Sequence, residues 1–251
     1  MEIRGKAALV AGASGGLGAA IARRLRDEGC SLTVAGGRGD GVEALADEVG
    51  GGAVVAELGA RDEVRRVVDA AGAVDLLVVC AGGAGAGAFA GFGLDDIDRV
   101  IDDGLRGPLA LTRLAGEGMV ARGSGHVVFV SSFAGKTAGA GTALRSAAAF
   151  GVRGFALGLR QDWAPSGVGV SLVNVGHVED VESADGVALP AGFRPKSPVD
   201  VAAAVVRAVR HDRAEVDVAD PVMRAGVVFG QLAPQTAARL NRLAGDQAGG
   251  L

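Results

Sequence analysis

The sequence has 251 residues, 49% of them hydrophobic, and a formal net charge of −4 at pH 7. This composition excludes a disordered chain, and without a basic block there is no electrostatic case for binding nucleic acid. The uncharged stretch 76–94 contains six glycines, which favours a strand and a loop over a membrane span. Two lone cysteines, and a first segment without the apolar core of a signal peptide, predict a cytoplasmic protein.

Apolar β-rich runs alternate with amphipathic segments along the chain. Strands are predicted within KAALVAG (6–12), SLTVAG (31–36), AVVAEL (53–58), VDLLVVCAG (74–82), HVVFVSS (126–132), GVSLVNV (169–175) and AEVDVA (214–219). Helices are predicted over 16–28, 61–71, 94–122 and 142–163, with a further helix start at Ser197. This order is typical of a parallel sheet covered on both faces. We predict one Rossmann-like, doubly wound α/β domain over 1–251, with 221–251 as a C-terminal extension that packs on the body or at an interface.

A glycine-rich loop, AGASGGLG, joins the first predicted strand to the first predicted helix. Its spacing, G-x-x-x-G-x-G, permits a tight turn and a close approach of the backbone to a pyrophosphate at the helix N-terminus. The alternative is that the glycines only pack helix against strand. The dinucleotide-binding residues predicted in this loop are Gly12, Ser14, Gly16, Leu17 and Gly18.

The end of the second predicted strand bears on the choice of dinucleotide. Gly36 stands where a carboxylate would hold the ribose of NAD, and Arg38 lies where it could meet a 2′-phosphate. This favours NADP(H) over NAD(H), although Arg38 as a solvated loop residue is the alternative. Glu57, with Leu58, ends the third strand, and its carboxylate could accept a hydrogen bond from the adenine amino group or simply lie on the surface.

Four motifs, in order, resemble the short-chain dehydrogenase/reductase family. AGASGGLG is similar to its cofactor loop, VCAG (79–82) to its N-N-A-G motif, VSSFAG (130–135) to its serine segment, and VNVGHVED to its P-G turn, with Val175 in place of proline. The resemblance covers nearly the whole chain. It implies a cofactor site that includes Ala81 and Gly82, a small-molecule substrate, and a homo-oligomer (dimer or tetramer) formed through the helices predicted at 94–122 and 142–163.

The same resemblance locates the catalytic positions of the family, which are a serine, a tyrosine, a lysine and an upstream asparagine. Ser132 matches the serine, Arg145 stands at the tyrosine position, Ala149 at the lysine position and Gly104 at the asparagine position. The downstream FGVRGF matches the family pattern and sets this register. The sequence contains no tyrosine, so an ordinary tyrosine-dependent dehydrogenase is excluded.

Other side chains are candidates for the missing chemistry. An arginine is not an acid near neutral pH, but Arg145 with Ser132 could stabilise an oxyanion; a surface or interface arginine is the alternative. His177 is a candidate proton donor or an ordinary loop histidine. Lys136 could reach an anionic substrate or lie on the surface. The loop 179–194 is predicted to be a mobile lid, with a rigid surface loop or a disordered segment as the alternatives.

Three hypotheses follow. The first, which we favour because the cofactor loop is retained, is an atypical NADP-linked carbonyl reductase that uses Ser132 and Arg145. The second is a catalytically silent subunit that forms a hetero-oligomer with an active relative. The third is a non-redox isomerase, cyclase or lyase that reuses the pocket and needs no bound cofactor.

Overall fold

The fold is built on a twisted parallel sheet. A computed structural model describes residues 1–80, 85–179, 194–237 and 239. Within them, seven parallel strands form one sheet in the order β3-β2-β1-β4-β5-β6-β7. The strands β1 to β7 span Ala7–Ala11, Ser31–Gly36, Gly52–Val55, Leu76–Cys80, Gly125–Ser132, Val168–Val175 and Glu215–Val218.

Helices cover both faces of this sheet, because each strand is linked to the next by a crossover. In the described part of the chain, α1 to α8 span Gly16–Asp27, Gly39–Val49, Arg61–Ala71, Leu94–Ile101, Gly107–Arg122, Ala143–Trp163, Pro198–Arg210 and Pro221–Leu232. One core lies between the sheet and α1, α2 and α7, and the other between the sheet and α3, α5 and α6. The predicted Rossmann-like α/β domain is confirmed.

The central strands are buried on both faces, which explains their continuous apolar sequence. Along β5, Val128 and Val130 point into the first core, while Val127 and Phe129 point into the second. The Phe129 ring meets the Phe155 ring of α6 edge-on, with centroids 5.7 Å apart. This packing holds α6 against the strand that ends at Ser132.

The helix predicted over 94–122 is present with the predicted bounds, but its middle is not α-helical. Between α4 and α5 lies a π turn, Asp102–Arg106. The turn is crowded from two sides: a Cβ at buried Gly104 would lie 3.1 Å from Ala148 Cβ, and a Cβ at Gly107 would overlap the Leu58 carbonyl. Tertiary contacts with α6 and with the segment after β3 therefore set the local geometry.

The last described helix, α8, contacts the body through a small apolar cluster. Val227 and Met223 pack there against Phe133 and Ala219. Leu232, on the same helix, is 81% exposed. In the part of the chain that the structure describes, no helix combines the length and the apolar character needed to cross a bilayer.

Candidate active site

The candidate residues gather at the carboxyl ends of the strands. The order of strands reverses between β1 and β4, and ligands of open α/β sheets bind in the crevice at such a point. The glycine loop follows β1, Ser132 ends β5, and His177 comes two residues after β6. Arg145 is the third residue of α6.

The glycine loop is folded tightly against its neighbouring strands. Gly12 has φ = +80°, and both its amide and that of Ala13 donate to the Ala35 carbonyl at 2.9 Å. A Cβ at Gly12 would lie 2.8 Å from the Cys80 carbonyl oxygen, and one at Gly18 would lie 2.5 Å from the Gly12 oxygen. Glycine is therefore required at both positions by close backbone contacts.

The N-terminus of α1 fits an anionic group. Its N-cap, Gly15, has no side chain to cap the helix, and the first turn, which lies wholly within the described residues, carries no acidic side chain. The first amide groups of a helix need acceptors, and the helix dipole favours a negative charge there. A dinucleotide pyrophosphate meets both requirements. Of the other predicted loop residues, Gly16 is exposed and Leu17 packs against the core under α1.

At the predicted adenosine end of the site, Ser14, Arg38 and Glu57 lie close to Gly36 and Gly37. Arg38 Nη2 donates to the Ser14 carbonyl at 2.6 Å. A Cβ at Gly36 would lie 2.8 Å from Ser14 Oγ, so no carboxylate side chain fits there without displacing the loop. The exposed Glu57 carboxylate lies over Gly37. A Cβ on Gly37 would lie 2.8 Å from Glu57 Cδ.

Leu58, the other adenosine-end residue, is half-buried and packs at the edge of the second core. The predicted cofactor residues Ala81 and Gly82 lie outside the described residues, as does most of the predicted lid, 180–193. Cys80, just before them, has a thiol pKa raised to about 12 by burial, and burial raises that of Cys30 to about 11. Both thiols therefore stay protonated at neutral pH, which makes them poor nucleophiles.

Ser132 ends β5 and opens a 3-10 turn, Phe133–Gly135. Its Oγ accepts a hydrogen bond from the Ala134 amide at 3.1 Å. This bond uses one lone pair of the hydroxyl, whose O–H remains a donor for a substrate oxygen. The turn lies directly on α6, since a Cβ at Gly135 would lie 2.7 Å from the Ala149 carbonyl oxygen. The structure thus places the serine turn one helical turn away from Arg145.

Arg145 is half-buried, and its Nε atom is enclosed by the protein. Its backbone amide donates to the Gly85 carbonyl at 3.2 Å, and Gly85 has φ = +91°. Ala149, at the position where the resemblance implies a lysine, is only 7% exposed. The Arg145 side chain is therefore partly enclosed by the protein, and its role in chemistry stays a prediction.

His177 is half-buried, and its backbone carbonyl accepts from the Lys196 amide at 2.8 Å. Val178 forms a parallel bridge with the same lysine. This backbone pairing holds the chain at the point where it leaves the sheet. Whether the imidazole takes part in chemistry stays a prediction.

Of the two alternatives for Lys136, the one that places it on the surface is wrong. Its side chain is only 10% exposed, and Nζ lies 2.7 Å from Asp217 Oδ1 on β7. Glu215, two residues earlier on the same strand, binds Arg153 of α6. The pattern EVDV, with carboxylates on one face of a predicted strand, is the feature of the sequence that indicates a buried cation partner there.

Comparison with known proteins agrees with this geometry. Residues 6–187 match the family model described as short chain dehydrogenase. The chain belongs to the short chain dehydrogenase family. Membership accounts for the order of the strands, the glycine loop after β1 and the serine at the end of β5.

Among curated relatives in this family, the chain is 29% identical to the ketoacyl reductase HetN of Nostoc sp. (strain PCC 7120), over 96% of this chain and 89% of the relative. It is 33% identical to the glycine betaine reductase ATRR of Emericella nidulans over 83% of this chain. That match spans only 18% of the much longer reductase.

A solved structure of similar fold is that of an actinorhodin polyketide ketoreductase variant with NADPH. The two chains are 28% identical, with a TM-score of 0.76. The match covers 85% of this chain and 95% of the ketoreductase. A structure of this fold thus contains a nicotinamide dinucleotide.

Proposed function

We propose that this short chain dehydrogenase is an atypical NADP(H)-linked reductase of a small carbonyl compound, in which Ser132 and Arg145 hold the substrate oxygen. The glycine loop carries the proposal. Its close contacts at Gly12 and Gly18, and the uncapped N-terminus of α1, form a cradle that suits a pyrophosphate. The similarity to a ketoacyl reductase favours a β-keto ester or thioester as substrate.

The residues present fit the adenosine and pyrophosphate parts of the cofactor. The α1 N-terminus would hold the pyrophosphate, Glu57 the adenine amino group, and Arg38 a 2′-phosphate. The preference for NADP(H) follows from Arg38 at the rim of the loop, 2.6 Å from the Ser14 carbonyl, and from the lack of room for a carboxylate at Gly36. When bound, the nicotinamide would supply the hydride.

The chain's own residues would bind and polarise the carbonyl. The Ser132 hydroxyl donates one hydrogen bond to the oxygen, and the Arg145 guanidinium donates others while keeping its charge. Because an arginine does not release its proton near neutral pH, it stabilises the oxyanion without protonating it. The final proton then comes from water. Loss of general acid catalysis typically lowers the rate by ~10²–10⁴-fold, so we expect a slow enzyme.

We also propose that the protein acts as a homo-oligomer. Val120 on α5 is 38% exposed and Phe150 on α6 is 43% exposed. These are the two helices through which the family resemblance predicts assembly. Apolar side chains at such exposure are favourable when a second copy covers them.

A titration with NADPH and NADH, followed by fluorescence, tests the proposal, with two variants of the N-cap of α1. Gly15 has an extended backbone, and a Cβ there would lie 3.7 Å from the Gly12 oxygen, so side chains fit. Gly15→Asp adds a good helix cap but a negative charge at the pyrophosphate position. We expect it to weaken NADPH binding at least tenfold without lowering the melting temperature.

Gly15→Asn is the matched control, because it has nearly the same shape without the charge. It should bind NADPH within about threefold of the unmodified protein, since only the repulsion is removed. If the folded, nucleotide-free protein binds neither dinucleotide, the reductase proposal is contradicted. Equal weakening by Asp and Asn would mean that the anion does not lie at this helix end.

One observation favours the silent-subunit alternative. A Cβ at Gly104, where the resemblance implies an asparagine, would lie 3.1 Å from Ala148 Cβ, so an asparagine there would need its neighbour to shift. A catalytically silent subunit needs an active partner. Isolation of the protein from its native host would then yield a hetero-oligomer, whereas a homo-oligomer with turnover of its own would exclude this alternative.

A further inference from the structure

A set of partly buried charged side chains and one buried amide lies beside the serine turn and outside the residues assigned to substrate or cofactor. It consists of Lys136, Arg153, Asn174, Glu215 and Asp217, and we call it the β7 brace. Lys136 Nζ donates to both carboxylate oxygens of Asp217, at 2.7 and 2.9 Å, and lies 3.7 Å from Glu215 Oε2. Arg153 Nε and Nη2 reach the two oxygens of Glu215 at 2.7 and 3.3 Å.

The brace has no net charge, and hydrogen bonds connect its members. Its two cations face two carboxylates, and the buried Asn174 amide donates to Asp217 at 3.0 Å and to Glu215 at 3.5 Å. Burial alone would raise the Glu215 pKa, but the bond from Arg153 and the charge of Lys136 bring it below its usual value. The Glu215 carboxylate is therefore suited to hold cations at neutral pH. Because the side chains are shielded, salt weakens these pairs less than exposed pairs.

One end of the brace holds the serine turn. Lys136 follows Ser132 by four residues, and its amide donates to the Phe133 carbonyl at 2.8 Å. Its ammonium lies 5.9 Å from the centre of the Phe133 ring. The turn is thus fastened at its start by the Ser132 hydroxyl and at its end by Asp217.

The other end of the brace holds the face of α6 that presents Arg145. Arg145, Ala149 and Arg153 are spaced four residues apart, which places them on one face of the helix. Glu215 and Asp217 are two residues apart on β7, so both point to the same side of the sheet. One strand therefore fastens the two elements that carry Ser132 and Arg145.

We propose that the β7 brace sets the separation between Ser132 and Arg145, so that Lys136 and Arg153 are positioning residues for the pair. This inference rests on the proposed function, in which both side chains hold one oxygen. Removing one cation leaves a carboxylate without its main partner, and the structure relaxes around it. A displacement of about 1 Å in a catalytic group can lower a rate by ~10²-fold.

Steady-state kinetics of the full chain, with NADPH and the β-keto ester ethyl acetoacetate, test the inference. We expect Lys136→Met and Arg153→Met each to lower kcat at least tenfold while the KM for NADPH stays within twofold. Lys136→Arg keeps the charge and should recover most of the rate. The control is Arg160→Met, which removes another arginine of α6. Arg160 binds Asp212 at 2.8 Å, and this pair lies near the start of β6. The substitution should leave kcat within twofold.

Hydrogen exchange of the same four variants separates the brace from the proposed function. If the brace acts as proposed, amides of 133–136 and 143–149 exchange faster in Lys136→Met and Arg153→Met, but not in Arg160→Met. An unmodified protein without turnover overturns the proposed function, and the exchange data then decide on the brace alone. An unchanged kcat, or unchanged exchange in both segments, overturns the brace.

Discussion

The two halves of the crevice have kept different amounts of the family's chemistry. On the β1 side, recognition depends on backbone geometry, with Gly12 at φ = +80° and Gly18 against the Gly12 carbonyl. On the β5–β7 side, the proposed recognition depends on side chains, and the resemblance described above implies that only Ser132 of the family's four catalytic residues is retained. Backbone sites need particular glycines for packing as well as for binding, whereas a catalytic side chain can be replaced without loss of the fold.

Helix α6 shows this separation within one element. Its inward face is intact, with Leu144, Ala148 and Val152 at 5%, 5% and 0% exposure. Another face carries Arg145 and Ala149, which the resemblance places at the family's tyrosine and lysine positions. The helix therefore stabilises the sheet whichever residues occupy those two positions. We therefore expect substitutions on the β1 side of the crevice to change dinucleotide affinity, and substitutions on the β5–β7 side to change kcat.

The largest separable effect is expected at Arg145. Arg145→Ala removes the charge that stabilises the oxyanion, and loss of one such donor lowers kcat by ~10²–10³-fold. Arg145→Lys should recover part of the rate, because it keeps the charge without the planar fork. Affinity for NADPH, measured by the fluorescence titration, should be unchanged in both. An unchanged rate in the folded alanine variant would refute the assigned role.

We expect the whole fold to lose stability when the pH falls, because of His126. It is buried at the start of β5, with Nε2 2.8 Å from Ser171 Oγ, and burial lowers its pKa to about 4. The unfolded chain, with a pKa near ~6.5, binds the proton first. Stability is therefore full above that value and is lost as the pH falls toward 4, by about 2 kcal/mol at pH 5.

Urea unfolding of His126→Gln at pH 7.5 and pH 5 measures this contribution. The variant should lose less stability between the two pH values than the unmodified protein. His211→Gln, which replaces an exposed histidine, is the matched control and should keep the full dependence. Because small domains unfold cooperatively, cofactor binding and turnover should fail together in the acid. Loss of turnover alone would point to a titrating group in the site.

The smallest effect is expected at Arg38. Arg38→Ala should weaken NADPH binding about tenfold, equivalent to ~1.4 kcal/mol, and leave NADH binding and kcat unchanged. Arg113→Ala, which removes an exposed arginine on α5, should change neither affinity. Equal weakening of both dinucleotides by Arg38→Ala would show that the arginine supports the loop through Ser14 instead of binding a phosphate.

Much of the fold follows from hydrophobic pattern. Ser31–Gly36 and Arg61–Ala71 have the predicted bounds, because apolar spacing and local turn residues mark both ends. The π turn at Asp102–Arg106 was not predicted, since the helical pattern continues through it. The turn lies close to Leu58 and Ala148, which are distant in sequence, and local pattern does not encode such contacts.

The parts of the candidate site that depend on neighbouring residues in the sequence were predictable. The glycine loop and Ser132 lie at strand ends that the sequence marks. Lys136 was assigned to the surface or to a substrate because its partner, Asp217, follows it by 81 residues. Ion pairs between distant segments require the strand order, which propensities do not supply. The roles of Arg145 and His177 stay predictions for the same reason.

The distance along the chain between Lys136 and Asp217 also has a consequence during synthesis. Asp217 lies on β7, the last strand, so it leaves the ribosome after every other element of the crevice. At 5–20 residues per second, the 81 intervening residues take roughly 4–16 s to translate. Until Asp217 has been made, Lys136 has no carboxylate on β7 to bind, so the β7 brace is the last of these contacts that a nascent chain can complete.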